Sequence, residues 1–340
     1  MFQLSPVVYG TMGFDNSSNS ERVRVIQCAV DYGMTSLDTA PLYGCGEAET
    51  IVGQAIKGRR DQVQVLTKCG LRWDSNVGKA MFPVVVDGVS RTLFRNNRPE
   101  SVTQEVEASL RRLDTDVVDL IQVHRWDPDV PIEDTVGALV RLRDAGKVLQ
   151  IGLSDHPLDQ MRRAHRAVPG GLFSSQNEYN LIHRRAGAEA LQFAAEKNIQ
   201  FIAYSSLAQG VLAGRQLGTA SAPTGDRGLS PYFHPKNLER SNRVLSEVGM
   251  ALAEKYQATL SQICLRWLLD QRGISAALAG GRTESQVKEN AASAALDMAP
   301  ADLRALGDAM KKCGWDPNPD ASVVQKAKSK ARNLLKRLRP

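Results

Sequence analysis

The chain has 340 residues, 42% of them hydrophobic and 24% charged, with a net charge of +6. That length suits one large α/β domain or two small ones and can bury a substantial core, and with 27 Gly and 15 Pro the composition is neither collagen-like nor broadly disordered. No run approaches the ~18 apolar residues of a membrane span, and five scattered Cys and five His, without C-x-x-C or H-x-x-x-H spacing, argue against a disulfide framework and against the common metal sites.

In chain order, the opening MFQLSPVVYG lacks the basic-then-apolar pattern of a secretory signal, so a cytoplasmic protein is expected. Short apolar runs predict strands near 7–10, 35–38, 63–68, 117–123, 149–153, 172–176, 200–204 and 275–279. Most are continuously apolar rather than alternating, which is the pattern of parallel strands covered on both faces. Helical periodicity fills the intervals near 20–32, 47–58, 101–112, 133–145, 157–167, 187–197, 259–271 and 284–294. Ser20 before Glu21, Ser101 opening S-V-T-Q, and Pro157 just inside a start read as helix-initiation signals.

Eight strand–helix units predict an α/β fold of the (β/α)8 barrel, or TIM barrel, type. An open doubly wound sheet would carry G-x-G-x-x-G after the first strand, and G-T-M-G-F-D does not fit that spacing. Residues 70–100 and 205–241 read as long loops after the third and seventh strands, on the C-terminal face where barrel sites are built. Residues 242–256 and 301–312 read as two extra helices outside the repeat. The barrel domain is expected over 1–315, followed by a tail over 316–340 in which PNP at 317–319 is a linker. Residues 321–340 hold seven Lys and Arg and no acid, so the rest of the chain is close to neutral and a nucleic-acid-binding face is not expected. Apolar residues at helical spacing make that tail a short basic amphipathic helix. It is read as a solvated or barrel-docked helix, or as a contact to an anionic membrane surface or acidic partner.

The ends of three predicted strands collect chemistry that a plain core does not need. The second ends in Asp38, followed by T-A-P-L-Tyr43-G; the third ends in Lys68; the fourth ends in His124. Neighbouring strand ends can bring these four side chains to one barrel mouth. A phenol near pKa 10 is a weak acid at neutral pH, and an adjacent ammonium is expected to lower that value by favouring phenolate. A carboxylate can hold the lysine, and a histidine can donate to a substrate oxygen. Together they make a proton-delivery site for a carbonyl being reduced to an alcohol.

With the run D-T-A-P-L-Y-G-C-G-E-A-E from Asp38 to Glu49, and Lys68 and His124 beyond it, the sequence resembles the aldo-keto reductase superfamily over about residues 5–312. The resemblance implies an NADPH-dependent oxidoreductase of aldehydes and ketones. In it Tyr43 is the general acid, Lys68 tunes it, Asp38 pairs with Lys68, and His124 orients the carbonyl. It implies cofactor contacts from Gly10, Thr11 and Asp38 beneath the nicotinamide, from Ser154, Asp155 and Gln176 to the carboxamide, and from Tyr204 stacked on the ring. Leu207, Gln209 and Gly210 fall along the diphosphate path, and Gly280, Arg282, Gln286 and Asn290 at the adenosine 2′-phosphate and adenine. Trp73 and Trp126 are expected to line the substrate pocket.

Three departures stand out: Asp155 replaces the family's Asn, Ser206 a Pro, and Ala279 a Pro. The family's N-terminal barrel-plugging hairpin has no room before Gly10. Arg72 and Arg125 read as solvated residues or as contacts to an anionic substrate. A second reading is a cofactor-binding regulatory or sensor subunit with slow turnover. A Schiff-base aldolase acting through Lys68 is disfavoured, since it would leave the nucleotide motifs unexplained.

Overall fold

The strands at Gln64–Cys69 and Val118–Val123 are buried along nearly their whole length, so neither face is left in water, and here the sheet closes on itself. A computed structural model of the chain describes residues 3–13, 18–184, 188–218, 223 and 226–320. The chain groups into two compact units, Met1–Ser206 with Ser261–Asp297, and Leu207–Leu260 with Met298–Pro340.

The first unit holds eight barrel strands: β1 (Val7–Gly10), β2 (Ser36–Asp38), β3 (Gln64–Cys69), β4 (Val118–Val123), β5 (Val148–Ser154), β6 (Ser174–Glu178), β7 (Gln200–Tyr204) and β8 (Ile274–Ala279). Each strand pairs in parallel with its sequence neighbours, and β8 returns to β1 to close an eight-stranded barrel. The connecting helices are α1 (Asn19–Asp31), α2 (Glu47–Ile56), α3 (Pro99–Leu113), α4 (Ile132–Asp144), α5 (Leu158–Ala167), α6 (Ala188–Lys197), α7 (Leu260–Leu269) and α8 (Glu284–Ala292).

The barrel interior is filled from below by Leu4, Val8, Leu66, Leu120, Ile202 and Ala276, with Phe173 and Leu278 packed against them. Each of the fully buried Val, Leu and Ile side chains among them contributes about 1.5–3 kcal/mol. Strand side chains repeat with a period of two, so the positions two residues on from Val8, Leu66, Leu120 and Ile202 face the same way. Those positions are Gly10, Lys68, Gln122 and Tyr204. An apolar plug therefore supports a polar layer at the C-terminal ends of the strands. Below it, Leu4 belongs to the plug, and Ser5 and Ser36 exchange hydrogen bonds, Ser5 N to Ser36 Oγ at 2.9 Å and Ser36 N to Ser5 Oγ at 3.1 Å.

Several sequence expectations need correction. α1 is capped by Ser18, not Ser20, because Ser18 stands three residues before Glu21 and completes a reciprocal capping box. α3 begins at Pro99, two residues before Ser101, since the fixed φ of proline suits the first helical position. Pro157 caps α5 rather than sitting inside it. Residues 70–100 are not a plain loop: Leu71–Arg72, Lys79–Val86 and Val89–Arg95 form a three-stranded antiparallel sheet. Its hairpin turns at Asp87 and Gly88, both with positive φ (50° and 75°). Asp-Gly between two β-branched runs is a strong hairpin signal. Pro83 and the lack of alternation hid it, because most of the outer strand Lys79–Val86 is exposed on both faces.

In the second unit, the helix expected over 242–256 begins earlier, at Pro235. It runs as Pro235–Val244, a five-residue π turn at Leu245–Gly249, and Met250–Lys255. A Cβ at Gly249 would lie 2.8 Å from Leu260 Cδ2, so a larger residue would not fit that turn. The helix Pro300–Lys312 forms as read. Beyond it, Trp315 stacks on Tyr232 with ring centroids 5.6 Å apart. Asn237 donates from Nδ2 to Asp316 O at 2.7 Å and accepts from Asp316 N at 3.1 Å. The basic tail over 321–340 lies outside the described residues. Among the described residues no helix is long and apolar enough to cross a membrane.

Candidate active site

The polar layer is organised around Asp38 at the end of β2. Its Oδ1 accepts from Lys68 Nζ at 2.6 Å, and its Oδ2 accepts from Gln176 Nε2 at 2.8 Å and, more weakly, from Gln122 Nε2 at 3.5 Å. Lys68 also donates to Thr39 O at 2.9 Å and meets Tyr43 Oη at 3.3 Å. Asp38 and Lys68 side chains are each 1% exposed. A buried ion pair holds only if its remaining polar atoms are also satisfied, and here the amides of Gln176 and Gln122 and the Thr39 carbonyl do that. Gln122 is steadied in turn by Ser174 Oγ, which donates to its Oε1 at 3.3 Å. Gly152 lies between them in register, and a Cβ there would collide with Ser174 Oγ.

Tyr43 opens a short 3-10 turn, Tyr43–Gly46, in which Gly44, Cys45 and Gly46 all have positive φ. The loop is tied down from behind. Fully buried Glu49 accepts from Thr67 Oγ1 at 2.6 Å and from Arg112 Nε at 2.7 Å. The Arg112 guanidinium lies over the Trp73 ring, 5.7 Å from its centroid, and a Cβ at Gly46 would sit 2.7 Å from Arg112 Cδ. Gly46 is therefore needed for close approach as well as for its backbone conformation. Trp73 is half-buried against this turn, and Trp126 is half-buried past the end of β4.

Burial pushes the Tyr43 phenol above its ordinary value; Lys68 pulls it back and Asp38 adds to the rise. The expected net lowering by Lys68 is thus reversed, because desolvation outweighs the ammonium. For Lys68, burial favours the neutral amine, but Asp38 and then Tyr43 overcome it, and the ammonium is held. His124, edge-on to Tyr43 with ring centroids 6.1 Å apart, is pushed well down by burial and then by the charges of Lys68 and Arg125. At neutral pH the set is a protonated phenol on a fixed ammonium, beside a neutral imidazole. Such a set can bind an oxygen and protonate it as charge develops.

Around it, Thr11 N and Oγ1 both donate to Asp38 O, at 3.0 and 3.1 Å. A Cβ on Gly10 would come within 2.6 Å of Leu278, and one on Gly280 within 3.0 Å of Gly10 O. Ser154 is buried, and its carbonyl accepts from His156 Nδ1 at 2.8 Å. Burial holds that imidazole down at about 4, hence neutral. With its amide nitrogen on Asp38, Gln176 has its carbonyl oxygen to offer. The carboxylate of Asp155 is engaged by Arg125 and by Tyr204 Oη, the latter at 2.8 Å. Arg72, the other arginine weighed from the sequence, pairs with Asp74 at 2.9 Å.

At the end of β8, Asn290 donates to Gly280 O at 3.2 Å and Gln286 Oε1 accepts from Arg282 N at 2.9 Å. Thr283 caps α8, and exposed Arg282 stands at its entrance. Leu207, Gln209 and Gly210 belong to the second unit. They form a tight turn there, with Gly210 N donating to Leu207 O at 2.8 Å and Gln209 at φ 55°. Among the described residues no cluster of three or more His, Cys, Asp or Glu could hold a metal ion.

Sequence reasoning missed Gln122, Ser174 and Arg112 and gave Glu49 no task. Gln122 was within reach, two residues before His124 on the same strand face. Arg112 was not, because helical periodicity treats it as an ordinary surface residue. It also missed Glu105 on α3, which lies under the end of β3. Its Oε2 accepts from Gly70 N at 2.5 Å, its Oε1 is buried without a partner, and burial pushes its carboxyl up to about 8. The folded-state value lies above the ordinary 4.5, so protonated Glu105 supports the fold fully below pH 4.5, and that support is lost as pH rises through about 8. Glu105→Gln should therefore melt with wild type near pH 4.5 and above it at pH 8. The gain should be on the order of 4 kcal/mol, read from thermal unfolding at the two pH values.

The chain matches the Aldo/keto reductase family model over residues 6–310. It is 36% identical to the aldo-keto reductase YhdN of Bacillus subtilis strain 168 over 284 residues, 82% of this chain and 80% of that protein. It is 33% identical to the NADH-specific methylglyoxal reductase of Escherichia coli strain K12 over 288 residues, 82% of this chain and 85% of that one. Among solved structures it resembles a glycerol dehydrogenase of Gluconobacter oxydans, with a TM-score of 0.81 at 30% identity, covering 94% of this chain and 95% of that chain. It also resembles an aldo/keto reductase of Klebsiella pneumoniae in complex with NADP and acetate, with a TM-score of 0.66 at 25% identity, covering 90% and 91%.

Proposed function

The chain belongs to the aldo/keto reductase family, and on that premise we propose that it reduces an aldehyde or ketone to an alcohol with NADPH, Tyr43 acting as general acid. The observation that carries this reading is the buried Asp38–Lys68–Tyr43 relay beside a neutral His124 at the barrel mouth. When bound, the nicotinamide supplies the hydride that reaches the carbonyl carbon.

The residues around the mouth suit that cofactor. Ser154 and Gln176 offer polar groups for a carboxamide and Tyr204 offers a ring to stack, while Gly10 and Gly280, expected beside the cofactor, are held to glycine by close packing on Leu278 and on Gly10 O. Asp155 in place of Asn can accept from a carboxamide nitrogen but cannot donate to its oxygen. His124 donates from its neutral ring to the substrate oxygen and holds it next to Tyr43 Oη. Tyr43 then gives up its proton as negative charge grows on that oxygen, and the Lys68 ammonium at 3.3 Å stabilises the phenolate left behind. Asp38 keeps Lys68 charged and in place. Trp73 and Trp126, on the segments that follow β3 and β4, are the proposed apolar walls for the substrate.

NADPH is favoured over NADH by Arg282 at the N-terminus of α8, where charge and backbone donors together suit a phosphomonoester. The NADP-bound Klebsiella structure supports this choice, whereas the Escherichia coli relative is NADH-specific. Arg282→Ala should weaken NADPH binding by about tenfold or more and leave NADH binding nearly unchanged, as measured by cofactor fluorescence titration. The reading as a whole is tested by following NADPH consumption with a panel of aldehydes and ketones that includes methylglyoxal, and NADP+ reduction with glycerol. A protein that binds NADPH but turns over none of these above background would be a cofactor-binding subunit rather than a reductase.

A further inference from the structure

Asp155, at the barrel mouth beside Tyr204, has two partners of its own for its carboxylate. It lies just past β5 with φ at 51°, in the left-handed region, and its backbone N–H donates to Gln176 O at 3.0 Å. Its side chain is only 20% exposed, too dry for a lone carboxylate. Two groups answer it: the guanidinium of Arg125, from the residue after His124, and the hydroxyl of Tyr204 at the end of β7, at 2.8 Å. Arg125 is 46% exposed, so the pair reaches from the wet mouth of the barrel to the ring at its wall. The other acid nearby, Glu178, faces His183 Nδ1 at 3.2 Å.

An Asn at 155 could hydrogen-bond Tyr204 but would leave Arg125 without its counter-charge. An uncharged residue at 125 would leave a nearly buried carboxylate beside the ring that stacks on the cofactor. We propose that Arg125, Asp155 and Tyr204 form a charge-balanced clamp, in which Asp155 fixes the Tyr204 ring and Arg125 cancels the carboxylate, so that the site holds the oxidised and reduced cofactor without electrostatic bias. Arg125 and Asp155 are positioning residues in this scheme. It rests on the reading above, in which Tyr204 and Asp155 border the nicotinamide. The physical basis is that an oxidised nicotinamide ring carries a positive charge that the reduced ring lacks. An uncompensated charge a few ångströms away, in a partly dehydrated site, therefore favours one redox form over the other.

The test is a titration of wild type, Arg125→Met, Arg125→Lys, Asp155→Asn and the Arg125→Met/Asp155→Asn double variant with NADPH and with NADP+, read by isothermal calorimetry. Arg125→Met should shift the ratio of the two dissociation constants about fivefold toward NADP+, and Asp155→Asn about fivefold toward NADPH. The double variant and Arg125→Lys should return it near the wild-type ratio. Opposite shifts from two single variants cannot come from a general loss of structure, which would weaken both forms alike. Equal weakening of both forms, or a double variant that keeps the shift of either single one, would overturn the clamp. Binding of neither form by the wild-type protein would overturn the cofactor reading itself, and the clamp with it.

Discussion

Tyr43→Phe should lower carbonyl reduction by about a hundred- to ten-thousandfold while cofactor affinity stays within about twofold of wild type. The substitution removes one oxygen, the one 3.3 Å from Lys68 Nζ, and keeps the ring that packs edge-on to His124. In the proposed scheme the nucleotide is bound through Ser154, Gln176, Tyr204 and the Arg282 end of the barrel, none of which the change touches. The loss should therefore fall on kcat rather than on the dissociation constant of NADPH. Steady-state kinetics beside fluorescence titration separates the two quantities. Near-wild-type turnover with a good carbonyl would remove Tyr43 from its role.

Lys68→Met should be costly in two ways. Asp38, 1% exposed, would keep its two glutamine donors but lose its cation. Breaking a buried pair on one side costs about 3–5 kcal/mol, since a charge is left without compensation. Tyr43 would at the same time lose the ammonium 3.3 Å away that is proposed to stabilise its phenolate, so turnover should fall by at least about a hundredfold. The Asp38→Asn/Lys68→Met double variant separates the effects. With both charges gone, most of the stability should return while turnover stays low. Denaturant unfolding of the two variants and wild type checks the first point, and NADPH consumption the second. A double variant no more stable than Lys68→Met would mean that the pair is not what holds this layer together.

The candidate site was legible in the sequence to an uneven degree. Asp38, Lys68 and His124 could be placed because each closes an apolar strand, where a charged or titratable residue has no packing reason to be. Tyr43 followed from the residues around it. Their shared environment could not be read in the same way. The direction in which Tyr43 titrates depends on how far burial outweighs an ammonium 3.3 Å away, and burial is a property of the assembled barrel. Arg125 read as solvated or as a contact to an anionic substrate because its partner, Asp155, is thirty positions away, while Asp127, two positions on, pairs with Arg95. Glu49 and Arg112 meet across sixty-three positions for the same reason.

The hairpin at 79–95 was lost for a different cause. Its exposed strand carries no face-to-face alternation, so the Asp-Gly turn was the only signal it gave.

The amino-acid order alone determined the number and sequence of strand–helix units, and with them the barrel. Hydrophobic periodicity is local, repeating within a single strand or helix. It also determined which residues stand at the C-terminal strand ends. Only the tertiary structure decided which of them are buried and charged, which are neutral, and which carboxylate each cation answers. Desolvation and Coulomb energies depend on distances through space, and closure of the barrel sets those distances between residues far apart in the chain.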